Sequence, residues 1–279
     1  MFSEAPVRDE VIEELAGLLQ NSENIVVLTG AGMSTESGIP DFRSDSGLWQ
    51  DDELMQAMSL NYLRYFPERF WPKFKHVFLR PEYLQAQPNS GHLALAELEG
   101  MGKRIQVFTQ NVDGLHGVAG NTQVFELHGN LGKAKCPVCH TPYVLDHILA
   151  TDVPRCTWEN QKGALCGHVL DPDTVLFGQD VRHYGRAQLA IAKADLMLVL
   201  GTSLTVDPVA ELPHFAIEQT RVQLVIVNLE PTYCDKWARL VIRGKVAEVV
   251  SQAVTHIVRV RKGVWSDPSS ARRPAQNAQ

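Results

Sequence analysis

"NIVVLTGAGMSTESGIPDFRSDSGLW", running from Asn24 to Trp49, is the stretch that decides the fold. Its first half is an apolar run that meets glycine at once. A short buried strand entering a Gly-x-Gly turn is how a dinucleotide-binding unit begins. Gly30, Ala31 and Gly32 carry little or no side chain, so backbone amides there can approach a pyrophosphate. Small residues also serve plain turns, so the loop alone fixes no ligand. The second half departs from the usual form: Thr35 stands where a third glycine belongs, and Pro40 is followed by Asp41, Phe42 and Arg43.

Outward from this loop, apolar strands alternate with helical patterns. Val11, Leu15, Leu18 and Leu19 recur at helical spacing, predicting an amphipathic helix up to about Gln20. Strands are expected in "RIQVFTQN" (104–111), "TQVFELHG" (122–129), "TVLFG" (174–178), "ADLMLVLG" (194–201) and "VQLVIVNLE" (222–230). Helices are expected over 181–193, 207–219 and 245–260. Ser90 reads as the cap of "GHLALAELEGMG", with Gly100 or Gly102 as its stop. Between Trp49 and Arg80 the chain reads as two or three short helices broken near Pro67, Pro72 and Pro81. This alternation predicts an α/β fold, a parallel sheet with helices on both faces.

The chain has 279 residues, 44% hydrophobic and 21% charged, ordinary for a globular protein with a sizeable core. With 26 basic against 32 acidic residues the formal net charge is −6, which disfavours a general nucleic-acid binder. No apolar window is long enough for a membrane span, and the N-terminus lacks the pattern of a signal or transit peptide. Cytoplasm is the expected address.

From Gly132 to Asp173 apolar periodicity gives way to cysteine, proline and glycine. Cys136, Cys139, Cys156 and Cys166 follow the spacing C-x2-C-x16-C-x9-C. Four thiolates in two local pairs match tetrahedral structural zinc, which prefers sulfur and a closed shell. His140 and His168 are nearby, but four cysteines already complete the set. The zinc is expected to be structural.

Polar residues cluster where strands end. "TQNVDGLH" places Gln110, Asn111, Asp113 and His116 at a carboxyl end, where open parallel sheets bind ligands. A turn cap explains one of these residues but not the group. His128 ends the strand of "FELHGN"; imidazole suits a general base near neutral pH, although a lone strand-end histidine is often structural. "GTSLTV" offers Gly201, Thr202 and Ser203, and "VNLE" offers Asn228 and Glu230, for phosphate or ribose. An ordinary dehydrogenase fingerprint wants an acid about twenty residues after the glycines; no acid ends a second strand there, which disfavours that reading.

Together these motifs resemble the sirtuins, the NAD-dependent protein-lysine deacylases. "GAGMSTESGIPDFR", "TQNVDGLH", "LHG", the four cysteines, "LDPDTVLFG", "GTSLTVDP" and "VNLE" follow in family order, covering about Ile25 to Val250. "STESGIPDFRS" and "RYFPERFWPKF" are most similar to the branch shared by bacteria and the mitochondrial lipoamidase and ADP-ribosyltransferase sirtuins.

The resemblance implies a discontinuous Rossmann-like NAD-binding domain over 1–48, 89–130 and 174–261. A small domain would combine a helical insertion (49–88) and a zinc insertion (131–173), and 262–279 would be a disordered tail. NAD is implied as a consumed co-substrate, with one structural Zn2+. The implied NAD contacts are Gly30, Ala31, Gly32, Ser34, Asp41, Phe42, Arg43, Gln110, Asn111, Asp113, Gly201, Thr202, Ser203, Asn228, Leu229, Glu230 and Val246. His128 corresponds to the catalytic base, with Asn111 and Asp113 beside it. Val175, Leu176, Phe177 and Gly178 would pair with an extended acyl-lysine peptide.

The desuccinylase branch binds its acidic acyl group through a tyrosine and an arginine, whose places here hold Phe74 and Val77; no succinyl preference is implied. Gln179 stands where many relatives carry glutamate. Protein mono-ADP-ribosylation, or a zinc and NAD-binding regulatory module without turnover, would use much of the same sequence. No nucleic-acid or membrane partner is expected, and a monomer is favoured.

Overall fold

The structure is a computed structural model and describes residues 7–40 and 52–262. Its centre is a six-stranded parallel sheet. The strands are β1 (Asn24–Thr29), β2 (Arg104–Thr109), β3 (Val124–Glu126), β7 (Leu196–Leu200), β8 (Gln223–Val227) and β9 (Leu240–Ile242), in the order β3-β2-β1-β7-β8-β9. Strands β4 (Lys133–Lys135), β5 (Pro142–Val144) and β6 (Asp171–Pro172) form a separate small sheet.

The chain builds outward from β1 through β2 to β3, then returns to the other side of β1 and builds through β7 to β9. The order therefore reverses between β1 and β7, the place where doubly wound sheets leave a crevice for ligand.

Residues along β1 alternate between two cores, as a strand covered on both faces must. Ile25 and Val27 join the core beneath α1 (Asp9–Asn21), α6 (Ser90–Gly100) and α11 (Val246–Arg261). Val26 and Leu28 join the core beneath α9 (Tyr184–Ile191) and α10 (Glu211–Gln219).

A third core lies away from the sheet. Helices α2 (Asp52–Ala57), α3 (Leu60–Tyr65), α4 (Pro67–Phe78) and α5 (Pro81–Leu84) lead to it, and Phe70, Trp71, Phe74 and Phe78 fill it. Cys136, Ile148, Cys156 and Leu170 come from the cysteine-rich stretch, which also holds α8 (Leu145–Leu149). Trp71 Nε1 donates to the Leu170 carbonyl at 2.7 Å, and Arg155 pairs with Glu68 at 2.6 Å. Two segments far apart in sequence thus share one hydrophobic interior.

Several local readings need correction. Asn89, not Ser90, caps α6: its Oδ1 accepts from Gly91 N at 3.0 Å and His92 N at 3.3 Å. Pro72 does not break α4, because the aromatic side chains around it are buried against the third core. "TVLFG" is no strand of the main sheet; its only bridge pairs Phe177 with Ser59 of the helical segment. The helix expected from Val181 begins at Tyr184, after His183 adopts φ 58°. β9 and a short α7 (Leu115–Ala119) were not expected from the sequence.

Candidate active site

A cavity of about 460 Å³ lies at the carboxyl ends of the main strands. Gly30–Gly32 follow β1, Gln110 and Asn111 follow β2, His128 follows β3, Gly201–Ser203 follow β7, and Asn228–Glu230 follow β8. All of these line it, as do Val246 at the start of α11 and the segment Val175–Gly178. Most of the residues singled out in the sequence are therefore one surface. Asp41, Phe42 and Arg43 lie outside the described residues.

The glycines do something more specific than expected. Gly30 N donates to Leu200 O at 3.0 Å, and Gly32 N to Gly201 O at 2.9 Å. These amides hold the β1 loop to the β7 loop and are not offered to a ligand. Among the described residues, only the Ala31 amide of the three has no hydrogen bond. A Cβ on Gly201, whose φ is +61°, would lie 2.5 Å from Gly32 C and Met33 N. The two loops touch backbone to backbone, which only glycine permits here.

Behind the wall runs a polar chain. Asn111 Nδ2 donates to Gly30 O and Ser34 Oγ, both at 3.0 Å; Ser34 Oγ donates to Asp113 Oδ2 at 2.7 Å. Leu115 N donates to the other Asp113 oxygen at 2.9 Å. Burial raises the Asp113 pKa, opposed by these bonds. Asn111 faces the cavity, whereas Asp113 and Ser34 do not line it; both hold Asn111 and the loop in place.

His128 Nδ1 lies 3.0 Å from the Gln110 carbonyl oxygen. A carbonyl only accepts, so Nδ1 carries the hydrogen and Nε2 is the basic nitrogen. Val175 N donates to the His128 carbonyl at 2.7 Å. Gly129 makes this contact possible, since a Cβ there would meet the Asp173 carbonyl oxygen at 1.9 Å. Gln110 Nε2 in turn donates to Thr202 Oγ1 at 3.0 Å, tying the loops of β2 and β7 together.

Met58, Phe78, Val112 and Leu176 give the cavity an apolar stretch. Sequence reading missed Met58 and Phe78 because they sit among many aromatics without a distinguishing pattern. Phe74 and Val77 are buried in the third core and do not line the cavity. Thr174 also lines it, and its Oγ1 is buried without a hydrogen bond among the described residues.

The sulfurs of Cys136, Cys139, Cys156 and Cys166 all lie within 4.8 Å of one another. Cys136–Cys166 and Cys139–Cys156 are 3.6 and 3.4 Å apart, close to the roughly 3.8 Å edge of a tetrahedron with 2.3 Å Zn–S bonds. The amides of Val138 and Cys139 both point at Cys136 Sγ, each at 3.4 Å, which suits a thiolate. The four cysteines fit one zinc ion.

Residues 30–208 match the Sir2 family. The chain belongs to the Sir2 family. It is 49% identical to an NAD-dependent protein deacetylase of Bacillus subtilis over 85% of this chain and 96% of that protein. A deacetylase of the same description from Chromobacterium violaceum is 42% identical over 86% and 96%. Among solved structures, a Sir2–p53 peptide–NAD+ complex matches with TM-score 0.74 and 35% identity, covering 91% of this chain and 99% of that one. A Sir2 enzyme bound to an acetylated peptide matches with TM-score 0.73 and 34% identity, over the same shares. In this Sir2-family chain the glycine loops, His128 and the Val175–Gly178 segment meet in one cavity.

Proposed function

We propose that this chain is an NAD-dependent protein-lysine deacylase that removes acetyl or longer apolar acyl groups. The observation that carries the reading is His128: with Nδ1 held by the Gln110 carbonyl and Nε2 left basic, it lines the cavity that also contains the glycine loops and the Val175–Gly178 edge. The Sir2 relatives named as NAD-dependent protein deacetylases support it.

In this reading Gly30–Gly32, Gly201–Ser203 and Asn228–Glu230 hold the dinucleotide, and Asn111 lies on the nicotinamide side, fixed by Ser34 and Asp113. NAD would supply a ribose carbon, which would bond to the acyl-lysine carbonyl oxygen as nicotinamide leaves, and a ribose hydroxyl, to which the acyl group would pass with uptake of water as the lysine amine departs. His128 takes the proton from the ribose hydroxyls as that group becomes nucleophilic. The Gln110 carbonyl keeps the imidazole in the required tautomer. Val175–Gly178 take the substrate backbone as an added strand. The apolar wall of Met58, Phe78, Val112 and Leu176 favours uncharged acyl chains over succinyl.

The proposed division is an NAD-binding body (1–48, 89–130, 174–261) and a small body (49–88, 131–173) carrying the zinc; the core shared by the helical and cysteine-rich segments supports it, with Ile39, Leu115 and Leu176 joining that core from the larger body. No described helix is long and apolar enough to cross a membrane; a cytoplasmic setting is the proposed one. The test is nicotinamide release with NAD and a panel of acetyl-, butyryl-, longer-acyl- and lipoyl-lysine peptides. Release is expected to require an acyl peptide and to fall at least about 100-fold in His128→Ala, the lower range of general-base contributions. Equal release without peptide, or ADP-ribose retained on protein, would overturn the deacylase reading.

A further inference from the structure

Resting on that reading, we propose that Gln179 is a positioning residue for the substrate backbone, acting through its carboxamide oxygen. Residues 176–179 form a tight turn closed by Gln179 N donating to Leu176 O at 3.0 Å, with Gly178 at φ +90° as its third residue requires. The turn has a second lock. Leu176 N donates to Gln179 Oε1 at 2.7 Å, so one residue occupies both backbone groups of Leu176.

The other groups of this edge are largely committed. Val175 N donates to the His128 carbonyl, Phe177 N to Met58 O at 3.2 Å, and Leu60 N to Phe177 O at 3.0 Å. The Val175 carbonyl and the Gly178 amide have no hydrogen bond among the described residues. They are the pair left for an incoming peptide.

The Val175 carbonyl and the Leu176 N–H belong to one peptide group, which is planar and trans. Holding the N–H at Gln179 therefore sets the direction of the carbonyl on the opposite side. The Leu176 side chain is buried in the third core, so the plane is fixed at both ends. Remove the acceptor and the plane is free to turn, aiming the Val175 carbonyl away from the peptide. Only an acceptor oxygen at this reach is needed, so a carboxylate serves where a thioether does not.

The experiment compares wild type, Gln179→Met (similar shape, no strong acceptor) and Gln179→Glu on an acetyl-lysine peptide with uncharged flanks. Gln179→Met is expected to raise the peptide KM about 2- to 10-fold, the worth of one hydrogen bond. Its kcat and NAD KM are expected to stay within about twofold, and Gln179→Glu to restore the peptide KM. Amide exchange over 174–180 is expected to quicken in Gln179→Met alone. A normal peptide KM in Gln179→Met, an equally impaired Gln179→Glu, or a parallel rise in NAD KM would overturn the inference. A wild type inactive on every acyl peptide sinks the functional reading and this inference with it; an active wild type with a normal Gln179→Met sinks this inference alone.

Discussion

Lowering the pH from 6.5 to 4.5 is expected to cost this protein up to about 5 kcal/mol of folding stability, through His92 and His116. The two rings are buried with centroids 4.7 Å apart. His92 Nδ1 accepts from Asn89 N at 3.3 Å and lies 2.9 Å from Asn89 Oδ1, and His116 Nε2 lies 3.1 Å from Thr29 Oγ1, whose own hydrogen goes to Thr109 Oγ1. The remaining nitrogens, His92 Nε2 and His116 Nδ1, have no hydrogen bond among the described residues, and the neighbouring Asn121 side chain offsets the downward shift of His116 only in part. Burial pushes the His92 pKa down to about 4. Burial first, and then the neighbouring His92, push His116 down to about 3.

The sign follows from proton counting. In the unfolded chain both rings charge below about pH 6.5, while in the native state both stay neutral down to about pH 4. The unfolded state therefore binds more protons, and stability falls on acidification by about 1.4 kcal/mol per pH unit per ring. Two rings over two units would give about 5.6 kcal/mol, and the value falls to about 4 to 5 because the unfolded rings are only half charged at pH 6.5 and native His92 begins to charge as pH 4.5 is reached. Typical stabilities are about 5 to 15 kcal/mol, so the loss is large. Asp113 works in the opposite direction, since its raised pKa lets the native state take up a proton first. Guanidinium unfolding at pH 6.5 and 4.5, on wild type and on His92→Gln/His116→Gln, isolates the histidine share. A wild-type change under about 1 kcal/mol, or an equal loss in the double variant, would refute the reasoning.

Three further outcomes are expected. Chelation of zinc should lower the melting temperature and melt the region around the four cysteines, because binding energy at such a site is folding energy; a metal-free protein with unchanged melting would contradict this. Trp71→Ala should cost about 3 to 5 kcal/mol, leaving a cavity and an unpaired Leu170 carbonyl, read by denaturant titration. Gly201→Ala should weaken NAD binding measured by calorimetry and lower stability by more than 1 kcal/mol, since its Cβ meets backbone atoms of the β1 loop; full-affinity binding would count against the loop contact.

What the sequence made readable were features that depend on local periodicity or on chemistry crowded into a few residues. β1, β7 and β8 are nearly pure apolar runs, β2 keeps Ile105, Val107 and Phe108 apolar, and the cysteine spacing pointed to metal without a structure. Features that depend on distant partners were not readable. Asn89 and Ser90 are comparable caps, and only the geometry of the entering chain selects Asn89. Pro72 looks like a break until Phe70, Trp71 and Phe74 are seen buried around it. "TVLFG" has strand composition, yet its neighbour is the loop before α3, so it becomes an edge. The cavity was legible as a set of strand ends. That Asp113 and Ser34 stand behind the wall while Met58 and Phe78 form it was not.

The contact between Gly32 and Gly201 changes what the glycine signature can report. The atoms a side chain would strike are backbone atoms of the opposite loop, so no compensating substitution elsewhere can relieve the clash. On the proposed reading, a descendant that lost His128 and most of its turnover would still need these glycines to seat the β1 loop against the β7 loop. Their presence certifies an architecture. Activity has to be read at the imidazole.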